Sequence, residues 1–259
     1  MTIMEMPRTE LDASKSILVR SDPNRRSGIS DETIPGSKIL MEVLTIARGE
    51  SAMPGNSLDT EVAGYIISGQ ARVFTGKDFS DATEVDQEEF YFTPVRLPHI
   101  IHNPHDRPVK MLVAYSLDPS ITNLHGKSKA PDQDAKVTVV QKPAETKATS
   151  QTRGMQRAPA ISAKTVGATQ IWMCALSVSP NERGQAHHHG EAHTAAYTIS
   201  GNARIYFGTD LEEYIEPGPG DFAFDPPGLV HLVEHASDEE PWKGVLARCP
   251  ANTVVNFDE

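Results

Sequence analysis

Apolar residues in this chain fall in short runs, and clusters of Gly, Pro, Asn and Asp interrupt them. Ile39 to Ile46, Gly64 to Ile67, Ala71 to Phe74, Glu89 to Phe92 and Met111 to Tyr115 are such runs. Runs of this length at regular spacing predict the strands of a β-sandwich or barrel. The 19 Pro and 18 Gly favour many turns, and no long helix is expected. The predicted fold class is all-β.

The runs repeat. Residues 61–76 read EVAGYIISGQARVFTG and residues 193–208 read HTAAYTISGNARIYFG, an offset of 132. Eight of the sixteen positions are identical, from Ala63/Ala195 to Gly76/Gly208. The same offset pairs Met41 with Met173, Leu44 with Leu176, Pro94 with Pro226 and His99 with His231. One offset held over this span predicts two copies of one unit. The expected division is 1–118, a linker at 119–155, and 156–259. The linker is rich in Lys, Ser, Thr and Ala, and its VTVV segment could add an edge strand. In both copies an SG pair joins two strands, so Gly69 and Gly201 are expected in hairpin turns with positive φ.

Composition narrows the partners. The formal net charge of −11, without a basic stripe, argues against nucleic acid and anionic membranes. No apolar stretch reaches the length of a membrane helix. The first residues, MTIMEMPRTELDASK, carry no apolar signal segment, so a cytoplasmic protein is expected. Cys174 and Cys249 are expected to be buried free thiols rather than a disulfide framework.

Six of the ten histidines lie between 187 and 235: His187, His188, His189, His193, His231 and His235. Residues two apart in a strand share a face, so His187 and His189 point one way and His188 the other. His193 has the same parity, and His231 follows the stiff Pro226-Pro227-Gly228 turn. Neutral imidazoles converging from neighbouring strands can hold Fe, Zn, Ni, Cu or Mn.

The stretch Gly184 to Gly201 resembles the first cupin motif: a glycine, an H-x-H pair, an acidic ligand and a glycine turn. GDFAFDPPGLVH, Gly220 to His231, resembles the second, with His235 where an Asn usually closes it. The resemblance implies two tandem cupin barrels (double-stranded β-helix, or jelly-roll), a bicupin. It implies one divalent transition metal per chain, Fe(II) favoured and Zn or Ni possible. The acidic ligand position falls on His193 or Thr194, depending on a one-residue register choice. His193 is preferred, giving the ligand set His187, His189, His193 and His231; Glu191 remains an alternative if the strand bulges. In the N-terminal copy the corresponding positions are Gly55, Ser57, Glu61 and His99, with Asn103 closing the motif, so a metal-free partner barrel is expected there. His102 and His105 are expected at the surface.

Cupins include dioxygenases, decarboxylases, isomerases, cyclases, lyases and binding proteins, so the fold alone leaves the reaction open. The leading expectation is a metal-dependent enzyme on a small organic substrate, an Fe(II)-dependent dioxygenase. A Zn or Ni Lewis-acid cyclase, isomerase or lyase is the first alternative, and a non-catalytic small-molecule binding protein the second. No catalytic residue is assigned. Tyr197, Val233 and His235 could face the cavity. Arg72 and Arg204 suggest a structural salt bridge or a place at the barrel mouth, while Trp172, Met173 and Phe222 are expected inside the barrel. A homodimer or higher oligomer is expected from the edge strands such barrels must cover.

Overall fold

The computed structural model describes residues 11–20, 22, 27–53, 59–122, 136–140, 152–236, 240–250 and 252–257. These residues are almost all β, as the alternating runs predict. The helices among them are single turns: Lys77–Phe79, Pro119–Thr122 and Ala163–Val166. None is long and apolar enough to cross a membrane.

Four antiparallel sheets organise the strands. One six-stranded sheet runs Thr138–Val140, Phe90–Thr93, Val62–Ser68, Val109–Ser116, Ile39–Ile46 and Ser27–Ile29. The other runs Ile17–Val19, Phe222–Asp225, His193–Ser200, Trp242–Cys249, Trp172–Val178 and Gln156–Ile161. Shifting five of the first sheet's six strands by 132 reproduces the second's order: 62–68 falls on 194–200, 90–93 on 222–225 and 39–46 on 171–178, while the edge strands Thr138–Val140 and Ile17–Val19 are not related by the offset. A four-stranded sheet (Ser51–Ala52, Ile100–His102, Ala71–Thr75, Asp81–Val85) belongs to the first half. A five-stranded sheet (Glu213–Ile215, Ala203–Phe207, His231–His235, His187–His188, Val255–Asn256) belongs to the second.

Two short strands cover the sheet edges. Thr138–Val140, from the segment expected to be a linker, pairs with Phe90–Thr93. Ile17–Val19 pairs with Phe222–Asp225, so a strand from the first 118 residues completes a sheet of the second half. Ser16 fixes that crossing by donating its hydroxyl to Asp225 Oδ1 at 2.6 Å. Edge strands with unpaired backbone groups invite aggregation, and edge strands as short as these limit that hazard.

Buried apolar residues gather in three clusters. Leu44, Val73, Tyr91, Ile101 and Met111 fill the first half. Trp172, Leu176, Ala203, Val233 and Leu246 fill the second. The third joins the halves: Met41, Tyr65, Phe90 and Leu112 pack with Met173, Tyr197, Phe222, Phe224 and Val245. Each large sheet is thus buried on both faces. Strand alternation assigns the sides. Trp172 and Cys174 face the interior of the second half, whereas Met173 and Phe222, expected there too, face the joint core. Both cysteines are free and buried. Burial pushes the Cys174 thiol up to about 12 and the Cys249 thiol up to about 11.

Polar contacts also tie the halves. Glu61, 4% exposed, accepts the backbone N–H of Thr169 at 2.9 Å, its hydroxyl at 2.8 Å and the N–H of Gln170 at 2.8 Å. Glu61 N–H donates in return to Gln170 Oε1 at 2.8 Å. The two SG turns form as expected, with φ of 85° at Gly69 and 70° at Gly201.

Candidate metal centre

Three of the four histidines singled out in the sequence come together inside the second half. His187 stands opposite His231 in the antiparallel register, and their ring centroids are 4.5 Å apart. His189 follows just beyond that strand, 4.9 Å from the His187 ring and 5.0 Å from the His231 ring. One ligand-capable atom from each lies within 4.8 Å of the other two. All three residues are buried.

Backbone carbonyls fix which nitrogen is available. His187 Nδ1 is 2.9 Å from Gln185 O, His189 Nδ1 is 2.9 Å from Thr253 O, and His231 Nδ1 is 3.0 Å from Leu229 O. A carbonyl only accepts, so each Nδ1 carries a proton, and in a neutral ring that leaves the lone pair on Nε2. This is how proteins orient metal-ligating imidazoles. Protonation does not compete at neutral pH for two of them. Burial, then the neighbouring His231 and Arg157, lowers the His187 pKa. Burial and Arg248 lower that of His189 well below the ordinary histidine value. The donor set therefore fits a divalent transition metal.

His188 points away, as its parity requires: its Nδ1 accepts from Gly190 N–H at 3.0 Å and its ring lies 5.6 Å from Phe257. The structure does not bring His193 to the triad. Its ring lies 5.9 Å from Phe224 in the joint core, and its Nδ1 accepts the Lys38 N–H at 3.3 Å. The parity argument fails because the chain turns between His189 and His193. Gly190 takes a left-handed φ of 57°, and Ala192 N–H donates to His189 O at 3.1 Å. The alternation restarts one residue out of step. Thr194 then faces inward, with its hydroxyl 3.3 Å from Arg248 Nε. Burial and the Lys38 charge push the His193 pKa down to about 4.

Other candidates also settle elsewhere. Glu191 is exposed. His235 Nε2 donates to Glu240 O at 2.5 Å. Tyr197 shares the His193 face and packs edge-on against Phe222, 5.0 Å away, in the joint core. Val233 does face the interior. Arg72 and Arg204 pair with Glu84 and Glu216, as their shared placement suggested.

The first half is built differently. His99 keeps the local pattern of His231, its Nδ1 donating to Leu97 O at 3.2 Å. Glu61 is committed to Thr169 and Gln170. Asn103 serves the backbone, donating to Ile46 O and Arg107 O at 2.9 Å. Gly55 and Ser57 lie outside the described residues. His102 contacts Ser51 at 2.9 Å, and His105 lies 3.7 Å from Glu84. Among the described residues, the only group of three or more candidate ligands is His187, His189 and His231.

Three residues of the site were not anticipated. Arg157 Nη2 stands 3.3 Å from His187 Nε2, and Arg248 Nη2 stands 2.9 Å from His189 Nε2. Asp225 Oδ2 lies 3.7 Å from His231 Nε2. The available signal was an arginine inside an apolar strand, as in GVLARC.

No protein-family profile matches the chain, and no curated protein matches it. Solved structures do. An oxalate decarboxylase superposes with a TM-score of 0.68 at 16% identity, covering 94% of this chain and 80% of its own. A Bacillus subtilis oxalate decarboxylase gives 0.66 at 16%, covering 93% and 79%. The Lactobacillus farciminis oxalate decarboxylase, in complex with formate, gives 0.67 at 13%, covering 96% and 89%. This chain has the fold of those enzymes, which are cupins.

Proposed function

We propose that this chain is a metal-dependent cupin enzyme acting on a small organic molecule, with one divalent ion held by His187, His189 and His231. Three convergent Nε2 lone pairs, each oriented by an Nδ1–H to a backbone carbonyl, carry this proposal. We read residues 1–118 and 156–259 as two tandem barrels joined by 119–155. The first is then a structural partner, because its Glu61 and Asn103 are committed to backbone contacts.

His187, His189 and His231 would hold the ion, and a metal bound there would supply Lewis acidity or one-electron chemistry. The protein's share is to keep His187 and His189 neutral, aim all three imidazoles, and bury them away from bulk water. Iron(II) with a chelating substrate, as in a dioxygenase, suits a three-histidine set best. A Lewis-acid or decarboxylating lyase is the second possibility, favoured by the shared fold with oxalate decarboxylases.

The test is metal analysis of untagged protein purified without oxygen, followed by turnover assays on small organic acids and carbonyl compounds. Oxygen uptake with iron supports the dioxygenase. Anaerobic turnover with Zn, Ni or another divalent ion supports the lyase. Protein that takes up none of these ions overturns both.

A further inference from the structure

Arg157 and Arg248 lie beside the imidazoles, 2% and 1% exposed, and metal binding alone gives them no role. A buried guanidinium ordinarily faces a carboxylate, because the desolvated charge is otherwise uncompensated. Among the described residues neither is in an ion pair, and their contacts are neutral. Arg157 Nη1 donates to Thr152 Oγ1 at 2.9 Å and Nη2 to Met155 Sδ at 3.4 Å, while its Nε has no partner. Arg248 donates to Thr194 Oγ1 and Asn252 Oδ1, and its guanidinium lies 5.0 Å over the Trp172 ring. Asp225, level with Thr194 on the adjacent strand, is a buried carboxylate near them. One of its oxygens is taken by Ser16, and the other lies 3.7 Å from His231 Nε2. Among these groups, the surroundings of the triad thus hold two buried guanidiniums against one carboxylate, and a divalent ion widens the excess.

The hydrogen bonds sharpen this imbalance. Each Nη2 donor stands at the same nitrogen an ion would engage: Arg157 at His187 Nε2 and Arg248 at His189 Nε2. Once those lone pairs belong to an ion, both donors need acceptors beside it. A carboxylate meets every requirement: negative charge, planarity matched to a guanidinium fork, and two oxygens to share between donors and ion. We infer that Arg157 and Arg248 form a clamp for the carboxylate of a small organic substrate, so that carboxylate and ion bind cooperatively at this site. The inference rests on the metal reading above, and the experiment separates the two.

Cobalt(II) binding is measured by calorimetry and by its visible spectrum, without added anion, with saturating acetate, and with saturating inorganic phosphate. Acetate is chosen because it binds free cobalt weakly. The expected result is cobalt affinity raised at least tenfold by acetate, within the usual range of coupling between sites, with a changed cobalt spectrum. In Arg157→Met and Arg248→Met cobalt still binds, but the acetate effect falls below twofold and the spectral change is lost. If either variant fails to fold, Arg248→Lys serves, since it keeps the charge without the planar fork; its acetate effect is expected to fall at least threefold. Cobalt binding indifferent to acetate in the wild type overturns the clamp and leaves the metal reading standing. A phosphate effect equal to or above that of acetate overturns the carboxylate assignment. Wild-type protein that binds no cobalt under any condition overturns the metal reading and the coupling with it.

Discussion

Replacing Glu61 with Ala is expected to cost about 3–5 kcal/mol of stability while leaving metal content unchanged. The carboxylate, 4% exposed, accepts two backbone N–H groups and one hydroxyl from Thr169 and Gln170, all within 2.9 Å. Hydrogen bonds to a charged group contribute roughly 1.5–3 kcal/mol each, and a buried donor left without an acceptor costs about 1–3 kcal/mol. Relief of the carboxylate's own desolvation offsets part of the loss, so the individual figures do not simply add. For a chain of this size 1 kcal/mol corresponds to about 2–4 °C, giving a Tm lower by roughly 6–20 °C. Urea and thermal unfolding of wild type, Glu61→Ala and Glu61→Gln measure it. Glu61→Gln keeps the shape and one acceptor oxygen and is expected to lose about half as much. A loss under about 1 kcal/mol for Glu61→Ala would refute the clamp between the halves, since that is the scale of an ordinary surface change. Loss of bound metal would place Glu61 in the metal site, against the contacts seen here.

Gly69→Ala and Gly201→Ala are each expected to destabilise by about 1–3 kcal/mol, because both turns need positive φ. A new Cβ would lie 2.8 Å from Pro108 O and 2.9 Å from Pro241 O respectively; equal stability to wild type in urea denaturation would contradict this. Stability should also fall with acid through His193. Its folded pKa is pushed down to about 4, so below about pH 6.5 the unfolded chain binds a proton that the folded chain refuses until about pH 4. The stabilisation is complete above pH 6.5 and lost as pH falls through that window, on the order of 1–2 kcal/mol after solvent screening. The urea midpoint should therefore drop less between pH 7.5 and 5 in His193→Gln than in wild type, and identical drops would exclude this role. Phe224→Ala is expected to cost about 3–5 kcal/mol, since the ring is fully buried in the core shared by both halves; a near-native Tm would argue against that core.

The β architecture and the pairing of equivalent strands were legible because the signals are local. Alternation, turn residues and the 132-residue offset each act over a few positions, and the SG turns at Gly69 and Gly201 follow directly. The convergence of His187, His189 and His231 was legible for the same reason, two sharing a strand face and the third following a rigid turn. His193 was misread because parity carries across a continuous strand only, and Gly190 breaks the strand. Met173, Phe222 and Tyr197 were buried as expected but on the other face, since a sheet covered on both sides gives no polar alternation to orient it. The pairing of Ile17–Val19 with Phe222–Asp225 joins residues about 200 positions apart, which no local pattern encodes. Arg157 and Arg248 escaped notice because an arginine in a strand is ordinarily a surface residue, and only the fold shows that these two are buried beside the imidazoles.

The central claim is a single ion held by three imidazoles of the second half. It is tested most directly by elemental analysis of untagged wild type and of the His187→Ala, His231→Ala, His193→Ala and His99→Ala variants, each first confirmed as folded. The account predicts close to one divalent ion per chain in wild type, His193→Ala and His99→Ala, and almost none in His187→Ala and His231→Ala. An ion retained in His231→Ala but lost from His99→Ala or His193→Ala would contradict it.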